Sequence, residues 1–228
     1  MPFRKNCSAR GPFEASSDDE IVPIKMIRPL KGSLALLVGL ISIAGIAEEF
    51  PWLGEEQRKQ LDSGQFVLLE QRPDETDSID HRFVTVAKTV IGSRQRIWEV
   101  INDKENAADF IEGVLESKVI ERGENRILVE QLTHVGGPKG SYRYRLLHQL
   151  TPMTRADFTY AGGELRNVLG SWWIFDGKDP STFLVVYSLH IDPGFLAPQV
   201  VVKSGMRKSM PKTIQAIADE VAVRRGQR

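Results

Sequence analysis

Residues 83–113 read FVTVAKTVIGSRQRIWEVINDKENAADFIEG, and the fold turns on where that stretch breaks. Phe83 to Val90 alternates and is rich in β-branched residues, which favours a strand. Gly92-Ser93 ends it. Ser93 is a plausible N-cap, and Ile97, Val100 and Ile101 recur behind it at helical spacing, so a helix starts there. Asp103 to Ile111 reads as a second short helix, closed near Gly113.

Six strand candidates follow, at 115–122, 125–134, 141–150, 155–161, 165–176 and 182–192. Between them stand Gly123-Glu124, Gly136-Gly137-Pro138, Thr151-Pro152, Gly162-Gly163 and Gly177 to Ser181, each with turn chemistry. A long helical stretch from about Pro198 to Arg225 closes the chain. Val202, Met206, Met210, Ile214, Ile217 and Val221 lie three or four apart on it and form one apolar stripe. Pro211 should kink that helix or restart it. The order predicts an α+β helix-grip fold. In it a curved antiparallel sheet of about seven strands wraps around a long C-terminal helix, with two short helices between the first strand and the second. Such a sheet cannot close tightly over a helix and leaves an apolar cavity between them.

The chain ahead of His81 divides differently. Residues 26–47 carry Arg28 and Lys31, an apolar run from Leu34 to Ile46, and small residues up to Ala47. This is the layout of a secretory signal peptide cut near Ala47. Its apolar core of about 14 residues is short of the roughly 20 that cross a bilayer. An uncleaved inner-membrane anchor over 30–47 and a buried core helix are the alternatives. The first two readings export the remainder, most simply to a periplasm. Residues 1–25 are polar and without periodicity, either a disordered tail or an over-long start with Met26 the natural initiator. Residues 48–80 form a mostly polar linker with a short helix at Glu55 to Ser63 and a short strand at Gln65 to Leu69. The well-patterned domain is 81–228.

Composition narrows the chemistry. Thirty basic and thirty acidic residues balance to a net charge of zero, and the basic ones are scattered, so nucleic acid is not expected as a partner. Cys7 is the only cysteine. A mature chain cut near Ala47 has no disulfide framework, thiolate nucleophile or Cys-ligated metal. None of His81, His134, His148 and His190 falls in a His-x-x-x-His or His-Glu-x-x-His pair, so no helical zinc site is predicted. Gly136 to Gly140 joins two strands and reads as a hairpin turn rather than a phosphate loop. The reading calls for no metal and no cofactor.

Several stretches together resemble the Bet v 1-like, START-related superfamily of polyketide cyclase/dehydrase and lipid-transport proteins. Arg96-Ile97-Trp98-Glu99-Val100-Ile101-Asn102-Asp103 looks like the family's first helix. Asp109 to Val114, with Glu116-Ser117-Lys118-Val119, is similar to its second helix and second strand. Leu165 to Asp176 looks like its Gly-Ser-Trp strand, and Val185 to Pro193 with Pro198 and the last helix resembles its closing segment. The likeness runs over about residues 60–225, and mitochondrial ubiquinone-binding proteins belong to the same broad group. Many relatives carry a Pro at the exit of the second helix, where this chain has Ile111-Glu112-Gly113, so the pocket entrance is expected to differ.

The resemblance implies a cavity for a hydrophobic small molecule or lipid. Aromatic residues two apart share a sheet face, and several pairs stand ready to line it: Tyr142 with Tyr144, Phe158 with Tyr160, Trp173 with Phe175, Phe183 with Tyr187. Trp172 and Trp173 point to opposite faces, so at most one faces inward. The candidate ligand-contacting residues are Phe110, His134, Tyr142, Tyr144, Phe158, Tyr160, Trp173, Leu196, Met206 and Met210. Ordinary core packing is the competing explanation for each. Phe195, Leu196 and Ala197, between Pro193-Gly194 and Pro198, read as a cavity lid, a membrane-touching loop, or a segment packed on the sheet. Lys203, Arg207, Lys208 and Lys212 flank the apolar stripe, either as a solvated face or as a contact for an anionic membrane surface.

Glu130 and His134 share a strand face but stand about 13 Å apart along it. His148 shares the face of Tyr142 and Tyr144, a grouping that can serve general acid–base chemistry. No catalytic residue is assigned. Binding, carriage or shielding of a lipid-like or polycyclic ligand outside the cytoplasm is the leading function. An aromatase/cyclase-type enzyme using the same cavity is the first alternative. A non-catalytic interaction module at the membrane surface is the second.

Overall fold

The computed structural model describes residues 50–134, 140–194 and 197–226. The leader and tail read before Glu49, the turn at 135–139, and Phe195 and Leu196 lie outside the described residues. The first helix, α1 (Glu55–Asp62), and the first strand, β1 (Phe66–Leu69), precede β2 (Val84–Ile91). Two short helices follow, α2 (Arg94–Ile101) and α3 (Ala107–Phe110). Then come β3 (Val114–Arg122), β4 (Arg126–His134), β5 (Ser141–Thr151), β6 (Arg155–Gly163), β7 (Asn167–Asp176) and β8 (Thr182–Asp192). The long helix α4 (Gln199–Gly226) ends the described chain.

All strands form one antiparallel sheet in the order β1-β2-β8-β7-β6-β5-β4-β3. The expected α+β helix-grip architecture is present. Among the described residues the sheet has eight strands instead of about seven, because the short strand read in the linker pairs with β2, as in Val67 opposite Ala87. α2 starts where expected: the Ser93 hydroxyl accepts the Arg96 N–H at 3.2 Å. α3 is shorter than the Asp103–Ile111 helix that was expected. The Asp103 carboxylate accepts from the Asn106 side chain at 2.8 Å and from its backbone N–H at 3.4 Å. That local turn competes with helix propagation over 103–106.

α4 lies on the inner face of the sheet. Every residue of its predicted stripe, from Val202 to Val221, is buried there. Of the two outcomes expected at Pro211, a kink or a restart, the restart does not occur: α4 is continuous through it. Pro211 removes one helical hydrogen bond, but it is itself buried, and Met210 and Ile214 beside it sit in the main core. Burial on both sides of the break outweighs the lost bond.

The outer face has its own core. Leu53, Leu61, Val67 and Leu69 from the supposed linker pack on Ala87, Trp173, Leu184 and Val186. Arg72 sets its guanidinium 4.1 Å above the Phe83 ring, and Arg155 sits 5.1 Å from Trp173. Asp74 holds both arginines at 2.9 Å. The segment from Phe50 to about Phe83 is therefore a cover for the outer face as well as an approach to the domain.

The edge strand β3 pairs with β4 through two irregularities, between Val114 and Glu116 and between Val119 and Glu121. Inside the sheet, Gly170 of β7 faces Phe158 of β6. A Cβ at Gly170 would come within 2.1 Å of the Phe158 ring and 2.4 Å of the Ser188 carbonyl oxygen. The missing side chain is what makes room for the Phe158 ring on the inner face.

Gly170→Ala is therefore expected to lower stability by about 1–3 kcal/mol, the usual cost of forcing atoms into a packed core. Urea denaturation followed by tryptophan fluorescence checks this, and an unchanged midpoint would show that the strand shifts freely.

Candidate ligand-binding cavity

A cavity of about 480 Å³ lies between the inner face of the sheet, the α2–α3 segment and the first part of α4. Strand alternation decides which side chains reach it. In β5, Tyr142, Tyr144, Leu146 and His148 point inward, and across the sheet Phe158, Val168 and Trp172 join them. From β8 come Tyr187, Leu189 and Ile191. Phe110 and Ile111 close one side. α4 contributes Val202, Met206 and Met210 from its stripe, with Gly205, Ser209 and Thr213 beside them. Those last three are small and four residues apart, so they share one helix face. That face does not fill the space in front of it, and a Cβ built on Gly205 meets nothing within 4 Å.

Of the residues singled out in the sequence, Phe110, His134, Tyr142, Tyr144, Phe158, Met206 and Met210 stand in this wall. His134 is at the exposed rim, its Nδ1 3.5 Å from the Ser141 hydroxyl. Tyr160 is on the inner face but outside the wall, and its hydroxyl donates to the Gly163 carbonyl at 2.8 Å. Trp173 is corrected: it belongs to the outer core. The register that sets Gly170 opposite Phe158 turns the even-numbered residues of β7 inward, so Trp172 is the tryptophan of the cavity. Its ring stacks on Tyr187 at 3.9 Å between centroids and 8° between planes. Leu196 lies outside the described residues. Glu130 does not approach the cavity; Arg145 holds it at 2.9 Å and Arg143 at 3.5 Å.

The polar groups of the wall are few and unequal. The Tyr144 hydroxyl donates to Thr133 Oγ1 at 3.1 Å. Burial raises its pKa, and burial raises that of Tyr187 further, so both phenols stay neutral. His148 is 4 % exposed, and neither ring nitrogen has a hydrogen-bond partner. Each buried polar atom left this way costs about 1–3 kcal/mol. Burial, and then the nearby charge of Lys104, hold the imidazole pKa well below its usual value.

Lys104 was not visible as a site residue. It is 6 % exposed, lines the same cavity, and donates from Nζ to the Ile101 carbonyl at 2.7 Å. Burial and then the charge of Arg122 lower its pKa from 10.5 to about 7, against the raising effect of Asp103. Asp103 is spent elsewhere. Arg224 of α4 donates to it at 2.6 Å and also lies 5.9 Å from the Phe110 ring, tying the end of α4 to the α2–α3 loop. Among the described residues no group of three or more His, Cys, Asp or Glu side chains converges on a common point.

Residues 92–218, more than half of the chain, match the family described as polyketide cyclase / dehydrase and lipid transport, and the chain belongs to that family. No curated protein matches it. Among solved structures it is similar to the Zhui aromatase/cyclase of a Streptomyces species, at 17% identity and a TM-score of 0.55 over 62% of this chain and 94% of that one. A START superfamily protein from Mycobacterium smegmatis gives 12% identity and 0.54 over 61% and 97%. A STAR-related lipid transfer protein fragment from Xanthomonas axonopodis gives 10% and 0.54 over 61% and 85%. At such identities the likeness is one of fold.

The two buried basic groups of the cavity make stability depend on pH in a definite direction. Lys104 loses its proton near pH 7 in the folded chain but near 10.5 when unfolded. Between those values the unfolded state binds more protons, so stability rises with pH and is weakest below 7. The depressed His148 pKa removes further stability as pH falls below 6.5. Lys104→Met in the ligand-free protein is expected to gain about 2–4 kcal/mol at pH 6, shrinking toward pH 10. His148→Phe should flatten the acid limb. Urea midpoints at pH 5, 6, 8 and 10 test both, and a pH-independent difference from the wild type would contradict the account.

Proposed function

We propose that this member of the polyketide cyclase / dehydrase and lipid transport family takes up a lipid-like or polycyclic hydrophobic molecule in its cavity, and carries or shields it outside the cytoplasm. The observation that supports this most directly is the 480 Å³ space itself, walled by aromatic and aliphatic side chains. Ligand pockets fall at roughly 300–1,000 Å³ and are mostly apolar, with a few placed polar groups. A carrier needs a cavity and a rim, and no particular reactive set. The space also weighs against a collapsed interaction module.

The rim fits contact with a membrane. Val200 and Val201 at the start of α4 are 75% and 59% exposed, and Val201 and Ala197 reach the cavity wall. Arg207 and Lys208 are exposed on the same helix. An apolar tip with cations beside it is the arrangement that settles on an anionic bilayer surface. The signal-peptide pattern of residues 26–47 supports a place outside the cytoplasm, with the inner-membrane anchor as its alternative. Among the described residues no helix is long and apolar enough to cross a membrane.

A second reading, an aromatase/cyclase-type enzyme, is favoured by one observation: His148 shares the cavity with the phenols of Tyr144 and Tyr187. Retained ligand binding with lost turnover in His148→Ala would promote it over carriage.

Native mass spectrometry of the full chain purified without detergent, with organic extraction, is expected to show a reproducible apolar adduct. The neutral fluorophore N-phenyl-1-naphthylamine should enter the emptied cavity. Gly205→Phe places a ring in the open space at the wall, and it should weaken fluorophore binding about tenfold while replacing a helical glycine at no cost in stability. A chain that yields no adduct and takes up no fluorophore would refute the carrier reading.

A further inference from the structure

We propose that the part of the cavity wall carrying Lys104 and His148 is a subsite for a carboxylate, so that the ligand is an amphipathic acid, an apolar chain or ring system ending in a carboxylic acid, rather than a neutral lipid. This rests on the cavity being a ligand site, and it adds the chemistry of the ligand's polar end.

The wall is apolar except at a few points, and those points differ in whether their hydrogen bonds are already made. The Tyr144 hydroxyl has Thr133. The Asp103 carboxylate has Arg224 and Asn106. Lys104 and His148 do not follow that pattern. The Lys104 ammonium has three protons and one partner, the Ile101 carbonyl. His148 has two ring nitrogens and no partner for either. Both side chains are more than nine-tenths buried and line the same space. They are near enough for the charge of one to act on the other.

The charged groups around this subsite are unbalanced. Arg122 of β3 acts on Lys104 with the same sign; of the two carboxylates in the wall, Asp103 opposes it but is already held by Arg224, and Glu112 is paired with Lys212 at 3.1 Å. From β5 and β8, Tyr144 and Tyr187 face the cavity as neutral phenols. What this pole lacks is an anion. A carboxylate supplies two oxygens, one to accept from Lys104 and one from an imidazole N–H, in charge-assisted bonds. A hydrocarbon leaves the same donors empty, and an ester carbonyl can accept from them but brings no charge. An alcohol oxygen can also accept from them, but it too brings no charge.

Binding of such an acid is coupled to a proton. In the empty cavity Lys104 is mostly neutral at pH 8, because its pKa is about 7. A carboxylate beside it favours the ammonium, so an acid already ionised at pH 8 brings a proton into the complex with it. A neutral ligand does not.

The test uses the full chain stripped of bound lipid, at pH 8, with displacement of N-phenyl-1-naphthylamine as the readout. Hexadecanoate is compared with hexadecanol, and a steroid carboxylic acid with its methyl ester, which separates chain-like from polycyclic acids. The expected result is that in at least one pair the acid binds about tenfold or more tightly than its neutral partner. Lys104→Met, a variant expected to be stable, should bring that ratio close to one. Calorimetry of the wild type in buffers of different ionisation enthalpy should show uptake approaching one proton per acid bound. If the fluorophore enters but acid and neutral ligands bind alike and no proton is taken up, the carboxylate subsite is overturned and the hydrophobic cavity stands. If the fluorophore does not enter either, both readings fall.

Discussion

One contact organises the structure: the apolar stripe of α4 against the inner face of the sheet. Six stripe side chains from Val202 to Val221 are buried there, each worth roughly 1.5–3 kcal/mol when fully removed from water. The helix has 28 residues, so it is about 42 Å long, and a rod of that length cannot follow a curved sheet throughout. It is pressed closest near its C-terminal end. A Cβ on Gly92 at the end of β2 would lie 2.8 Å from Val221, and Arg224 clamps Asp103 nearby. Toward the N-terminal end the faces diverge, and Gly205, Ser209 and Thr213 leave the gap open. The cavity is a result of where the helix is tight and where it is small.

The outer face answers a different need. A sheet whose outer side carries Ala87, Trp173, Leu184 and Val186 must be covered, and α1, β1 and the chain beyond them do so. The cover is held by apolar packing from Phe50, Trp52 and Leu53 and by the Arg72–Asp74–Arg155 cluster over Phe83 and Trp173. Buried Thr85 and Ser188 satisfy each other across β2 and β8 at 3.0 Å. With cores on both sides, β7 and β8 are apolar on both faces.

That double burial explains what the sequence could and could not tell. The strand limits were legible because glycine and proline turns interrupt the chain between them, and the α4 stripe was legible because its spacing is regular. Trp172 and Trp173 were not separable. Val168, Gly170, Trp172 and Ile174 form one face of β7, and Leu169, Ser171, Trp173 and Phe175 form the other, so neither set is visibly the wetter. Only the pairing of Gly170 with Phe158 decides between them, and a long-range register is not written in local pattern. Lys104 was hidden for a related reason. It stands beside Asp103, Glu105 and Asn106 in the polar start of the expected second helix, and its burial arises from the arrangement of α2, α3 and the sheet around it. The Asp103–Ile111 helix was over-read because Asp103 can serve as a cap as readily as a helical residue.

Among the described residues the sheet ends at β1 and β3, and these edge strands bear on how copies of this chain meet one another. An exposed strand edge invites a neighbour's strand to add on, and proteins that remain separate at high concentration blunt such edges. Here β1 is four residues long, too short to template much pairing. β3 is longer and shows solvent the apolar side chains of Leu115 and Ile120, but its two irregularities fall next to them. Glu116, Lys118, Glu121 and Arg122 stand on the same strand. Each bulge breaks the even spacing of backbone donors and acceptors that an incoming strand would need. The irregularities that begin where Val114 meets the cavity wall thus also oppose sideways growth of the sheet at this edge.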